Sequence, residues 1–238
     1  FKYKFKKKIL NKSLINFLID RIQKSIKNSV LVVCVPKKDK LLAEHLRKIK
    51  NIKIFYGSEN NVLDRYYKCS LKYKFDNIIR LTGDNPFVDL EIIKKNLFKH
   101  IKYKKKFTTN CYKNTFPNGL EFEIINVKLL KYIWKKAILK SDKEHVTPMI
   151  YRLIEKKEIP KNKISLITDK GRYKNIRITV DKKNDLKLIN QIYKILIKNR
   201  YDITFKNIIK VYKKNKKLFN INKNEIRDEG YLKSLLND

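Results

Sequence analysis

Apolar residues recur along the chain with two alternating periods. Residues 13–27 (SLINFLIDRIQKSIK) set Leu14, Leu18, Ile22 and Ile26 four apart, which predicts an amphipathic helix. The next run, 29–35 (SVLVVCV), is continuously apolar and stops at Pro36, the pattern of a strand buried on both faces. The alternation then repeats, with helix over 38–49, strand over 52–56, helix over 61–74, strand over 77–82 and helix over 91–102. Strands alternating with helices of this length imply right-handed βαβ units, so the expected class is α/β with a largely parallel sheet.

After residue 107 the rhythm changes. A strand is expected over 107–112, a turn feeding another strand over 115–125, helices over 127–140 and 144–156, and a strand closing 172–181 before an apolar helix at 185–199. Pro148 is tolerated near the first turn of its helix. The tail reads as helix and then as polar chain. Without a repeat or a Gly/Ser linker, the reading is one domain, 1–238, with a smaller inserted lobe at about 107–175.

Charge alters this picture less than its size suggests. Lys and Arg number 59 against 23 Asp and Glu, a formal net charge of +36. Such an excess ordinarily points to nucleic acid, because lysines neutralise phosphates and release counterions. Here it is nearly all Lys, spread along the chain beside abundant Asn, Ile, Tyr and Phe, and those residues share A/T-rich codons. Genome composition therefore accounts for the bias, and no specific nucleic-acid partner is expected. Three scattered cysteines (Cys34, Cys69, Cys111) give neither a disulfide framework nor zinc spacing. No apolar run approaches a membrane span and no signal-peptide pattern opens the chain, so a cytoplasmic protein is expected.

Candidate chemistry gathers where strands end. In RLTGDNPFVD (80–89), Asp89 suits the cap of the helix beginning near Leu90, while Asp84 fits either a cap or a hard cation. Asp181 closes a second apolar run (IRITV), so both aspartates should lie on the ligand-binding edge of one sheet. Asp185 or Asn184 serves better than Asp181 as cap of the helix that follows.

Five segments in order, GSENNVLDRYY (57–67), RLTGDNPFVD, TFPNGLEFEI (115–124), EHVTP (144–148) and TVDKKNDL (179–186), resemble those of the cytidylyltransferases that activate acidic sugars, most closely the spore-coat polysaccharide biosynthesis type. The resemblance spans essentially the whole chain and departs inside one motif, where Asn61 stands for the usual Asp. It implies a Rossmann-like enzyme with helices on both faces of the sheet. The implied partners are CTP and a small acidic sugar, with a homodimer allowed, and the implied products are a CMP-sugar and pyrophosphate for surface polysaccharide synthesis. It also implies Mg²⁺ held by Asp84 and Asp181, which would serve as the catalytic carboxylates.

By the same resemblance Lys4, Gly57, Ser58, Asp64, Arg65 and Gly83 would lie near the nucleotide, and Asn118, Gly119, Glu121, Glu123 and His145 near the sugar. Residue types leave alternatives open. Asp64 and Arg65 could be a surface ion pair, His145 could simply pack at a helix start, and Glu121 and Glu123, two apart on one strand face, could turn to the cleft or to water. His45 and His100 read as structural, and Trp134 as core or lobe interface. Two rival functions are a nucleotide-sugar glycosyltransferase, which normally carries a D-x-D pair missing here, and a basic nucleic-acid-binding protein.

Family members open with a strand and a loop resembling Q-A-R-x-x-S-x-R-L-P-G-K. Alignment sets Lys4 on the loop lysine, with Lys2 and Tyr3 in place of its proline and glycine. A preceding strand and loop are thus expected to be missing from this chain. SVLVVCV and NIIRLT would then lack a shared neighbour, and CTP binding and activity would suffer.

Overall fold

The computed structural model describes residues 3–236 and residue 238. An antiparallel hairpin of β1 (Lys8–Ile9) and β2 (Lys12–Ser13) leads into α1 (Leu14–Ser25), whose first turn is capped by Ser13. The pairing β3 (Val32–Pro36) to β4 (Lys53–Gly57) is parallel, with α2 (Lys40–Arg47) as crossover. Next come α3 (Val62–Lys72), β5 (Asn77–Arg80) and α4 (Leu90–Lys102). A second sheet has the order β5–β7–β6–β8, with β6 Phe107–Thr109, β7 Glu123–Asn126 and β8 Ile164–Leu166. There β7 runs antiparallel to both neighbours while β6 and β8 are parallel, so pairing in this α/β fold is mixed.

Helices cover both faces, and β7 shows why. Its side chains alternate between faces. Ile124 packs with Leu18, Ile22, Leu90 and Ile93 of α1 and α4. Ile125 packs with Leu63 of α3 and with Leu129, Ile133 and Ile150 from α5 (Val127–Lys136) and α7 (Pro148–Glu155). The largest cluster joins Leu14 and Phe17 to Ile178, Val180 and the apolar stripes of α8 (Lys183–Lys198) and α9 (Phe205–Lys214).

Three segments depart from the pattern-based expectation. Within 115–125, where a turn feeding a strand is expected, regular strand begins only at Glu123. Residues 176–181 join no ladder and touch the 118 turn through one bridge, Asn118 to Arg177. The helix expected over 144–156 is broken. It starts as α6 (Lys140–His145), turns at Val146 (φ 76°) and restarts as α7 with Pro148 at its first position. Pro148 has no N–H to continue the α6 ladder, but at the first position of α7 that N–H would be unused in any case, so the helix stops before the proline and restarts at it.

Strands β3 and β5 share no neighbour among the described residues. Their edges instead line a cavity of about 850 Å³, walled by Ile15, Leu18, Ile19 and Ile22 of α1 and by Arg65, Tyr66 and Cys69 of α3.

The packing carries two expected outcomes. Gly119 (φ +108°) crosses the 176–180 segment so closely that a Cβ would stand 2.5 Å from the Ile178 carbonyl carbon. Gly119→Ala should therefore cost at least roughly 2 kcal/mol, read from urea unfolding, and a neutral substitution would contradict the close approach. His100 is buried between Thr108 (2.9 Å) and Asn77 (3.1 Å), and burial, aided by Lys105, lowers its pKa to about 4. Its unfolded value is near 6.5, so the unfolded chain takes up the proton first. The stability this group contributes is whole above about pH 6.5 and is lost as pH falls towards 4. His100→Gln should flatten that part of the stability profile, and an unchanged slope would exclude His100 as its source.

Candidate active site

The loop after β5 carries Asp84, and a backbone clasp brings a distant segment to it. The Val180 N–H donates to the Asp84 carbonyl (2.8 Å), and the Thr179 hydroxyl reaches the same oxygen (3.3 Å). This clasp sets Asp181 beside Asp84 across 97 residues of chain. Lys4 Nζ lies between the two carboxylates, 3.0 Å from Asp84 Oδ2 and 2.9 Å from Asp181 Oδ1. Burial opposes ionisation of Asp84, but Lys4, the Thr82 side chain and a backbone hydrogen bond together outweigh it and hold the carboxyl below its ordinary range.

Asp181 is held from behind by a residue that the motifs do not mark. Arg177 donates through Nη2 to Asp181 (2.8 Å) and through Nε and Nη2 to Asp185 (2.9 and 3.0 Å). Its Nη1 reaches Asn118 Oδ1 (3.0 Å) and the Ile226 carbonyl (3.1 Å). Asp185, fully buried, also accepts from the backbone N–H groups of Asp181 and Lys182 (both 2.9 Å). It thereby serves the start of α8 and leaves the Asp181 carboxylate free to face Lys4. No spacing rule marks Arg177 in the sequence, because residues 176–181 are not helical and its pairing with Asp181 and Asp185 is set by the fold.

The glutamates of the 115–124 motif go to different partners. Glu121 accepts from Gly119 N (2.6 Å), the Asn85 and Asn118 side-chain amides (both 3.2 Å) and Arg227 (2.8 Å). Burial raises its pKa above the ordinary value despite Arg227. Glu123, 2% exposed, accepts from Arg80 (2.6 Å), Thr147 (2.6 Å) and Tyr151 (2.7 Å), so it ties β5 to α7. Asn118 and Gly119 thus shape the turn that holds Glu121. No sequence pattern marks Arg80 or Arg227 for these roles.

His145 lines the same cavity as Asp84 and Arg80. Its ring stands against Tyr231 (5.0 Å between centroids), its Nε2 is buried without a partner, and burial lowers its pKa. Gly83 also lines this cavity, next to Ile15. The GSE segment stands behind Arg65, which lines the cavity. A Cβ on Gly57 would stand 2.7 Å from the Arg65 side chain, and Arg65 donates to the Ser58 carbonyl (2.9 Å) while its Nε is buried and unpartnered. Asn61 caps α3 through Asp64 N (2.9 Å), as the family's aspartate would. Asp64 itself accepts from Trp134 Nε1 (2.9 Å) and pairs with Lys68 (3.0 Å). The structure therefore unites Lys4, Asp84 and Asp181 directly, and Asn118 with them through Arg177. Asp64 is engaged elsewhere.

Whether this site suits a divalent cation is a matter of donor chemistry. Among the described residues, no group of three or more His, Cys, Asp or Glu side chains forms a closed metal site. Two carboxylates converging on one cationic atom are nevertheless what Mg²⁺ uses when waters and substrate phosphates supply its remaining oxygens. The residues fit.

Comparison with known proteins agrees with this geometry. Residues 1–226 match the family model described as Cytidylyltransferase. The chain is 32% identical over 193 residues to the spore coat polysaccharide biosynthesis protein SpsF of Bacillus subtilis, an alignment covering 76% of this chain and 75% of the relative. A cytidylyltransferase structure from Leptospira borgpetersenii superposes with a TM-score of 0.79 at 25% identity, over 91% of this chain and 89% of that one. A CMP:2-keto-3-deoxy-manno-octonic acid synthetase complexed with CTP shares the fold, with a TM-score of 0.56 at 12% identity over 80% of this chain and 91% of its own. With its mixed sheet, two-sided helix layers and facing Asp84 and Asp181 carboxylates, the chain belongs to the cytidylyltransferase family of nucleotidyltransferase enzymes.

Proposed function

We propose that this enzyme transfers CMP from CTP to an acidic sugar, releasing pyrophosphate, in the synthesis of a surface polysaccharide. The observation that carries the reading is the convergence of the Asp84 and Asp181 carboxylates on a single cation at the mouth of a strand-edge cavity. The Bacillus relative is a spore coat polysaccharide biosynthesis protein, which supports the polysaccharide assignment. The octonic acid synthetase that shares the fold is complexed with CTP, which supports CTP and a sugar acid as substrates. CTP supply makes the cytoplasm the expected compartment, and no helix among the described residues is long and apolar enough to cross a membrane.

The sugar's anomeric hydroxyl attacks the α-phosphorus of CTP and gives up its proton. The new C–O–P linkage forms as the bond to the β-phosphate oxygen breaks, and pyrophosphate leaves with that electron pair. This chemistry asks the protein for positioning and charge neutralisation rather than for a covalent intermediate. Mg²⁺ bound by Asp84 and Asp181 would supply neutralisation at the phosphates. The chain's own residues fix the geometry. Arg177 holds Asp181 in place, Asp185 holds Arg177, and the 84–180 clasp sets the spacing between the carboxylates.

The test is pyrophosphate release from CTP over a panel of sugar acids. Asp84→Asn and Asp181→Asn should each lower turnover by about a hundredfold or more, with circular dichroism showing the fold retained. Full activity in either variant, or in excess chelator, would remove that carboxylate pair from the mechanism. The positive charge carries a separate expectation. Duplex DNA should bind weakly, without sequence preference, and dissociate as salt approaches physiological strength. Tight sequence-selective binding there would favour a nucleic-acid role instead.

A further inference from the structure

The position a divalent ion would take is filled by the protein's own side chain. Lys4 Nζ sits at hydrogen-bond distance from one oxygen of each carboxylate, Asp84 Oδ2 and Asp181 Oδ1. We propose that Lys4 is an internal counter-ion for this pair, which a divalent metal must displace before the site can work. The proposal rests on the reading of Asp84 and Asp181 as cation ligands.

Charge balance points to this role first. Two cations, Lys4 and Arg177, face three carboxylates, Asp84, Asp181 and Asp185. Arg177 is committed to Asp185 and to the far oxygen of Asp181, and it is buried. Among the described residues, Lys4 is the cation set between the facing oxygens of Asp84 and Asp181. Without it, two carboxylates would stand side by side with no positive charge between them, which is costly in a partly desolvated site. A divalent ion added beside an unmoved Lys4 would turn a deficit of positive charge into an excess. The ammonium and the metal ion therefore compete for the same oxygens.

Mobility points the same way. Lys4 belongs to a short 3₁₀ turn (Lys4–Lys6) at the start of the described chain, and its ammonium sits on a flexible four-carbon stem. The side chain can swing away without repacking the core, whereas Arg177 is pinned by four partners, Asp181, Asp185, Asn118 and Ile226. A triphosphate arriving with its metal gives the displaced ammonium a new anion, so nucleotide and metal favour one another's entry, a reciprocal coupling.

The experiment is a titration with Mn²⁺ alone, followed by the electron paramagnetic resonance signal of the free ion. It uses the wild-type chain, Lys4→Met, Lys4→Arg and Asp84→Asn, with melting temperatures recorded with and without the ion. Lys4→Met should bind Mn²⁺ at least tenfold more tightly than wild type, melt lower in its absence, and gain more from its addition. Lys4→Arg should restore the weak binding, which a merely structural lysine would not require. Asp84→Asn should abolish binding. Equal affinity in wild type and Lys4→Met would overturn the counter-ion role and leave the metal site standing. Absence of binding in a folded Lys4→Met would sink the metal reading and the inference with it. If Lys4→Met does not fold, Lys4→Gln, which keeps polarity without charge, carries the same comparison.

Discussion

One buried guanidinium organises the functional end of this molecule. Arg177 is largely buried, so its charge needs carboxylates beside it, and the fold brings them from two directions. Asp185 enters from the first turn of α8 and Asp181 from the loop just before it. Asn118 and Asn222 extend the network to the glycine turn and to the C-terminal region, since Asn222 donates to both the Arg177 carbonyl (3.1 Å) and Asp185 (2.7 Å). A buried pair broken on one side costs more than the pair ever contributed, because the remaining charge is stranded. The network thus acts as a constraint: each element around the site has one position in which every charge is answered. The spacing of Asp84 and Asp181 inherits its definition from there.

Much of this is legible in the sequence where a residue's role is local. The helical period finds α1, α4 and α8 because their apolar stripes pack on one face. Asp89 announces itself as a cap, and its carboxylate does receive the Glu91 and Ile92 N–H groups (both 3.0 Å). The Asp84–Asp181 pairing is readable because both residues follow short apolar runs. What cannot be read is partner choice across long separations. Nothing local tells Glu121 to take Arg227, or Glu123 to take Arg80. Likewise IRITV has the composition of a strand, yet its backbone is used to clasp the Asp84 loop and the 118 turn in place of a ladder.

The open edges of β3 and β5 bear on how the protein behaves in bulk. Unpaired apolar strand edges are templates for pairing with another chain, and proteins usually blunt them with charge, proline or cover. Here Pro36 ends one edge, and the broader protection is the lysine-rich surface, whose net charge of +36 makes copies repel one another. That repulsion reaches about 30 Å at 0.01 M salt but only about 3 Å at 1 M. The excess of lysine therefore sets the colloidal properties of the protein. It keeps copies apart in dilute buffer and gives up that protection as ionic strength rises.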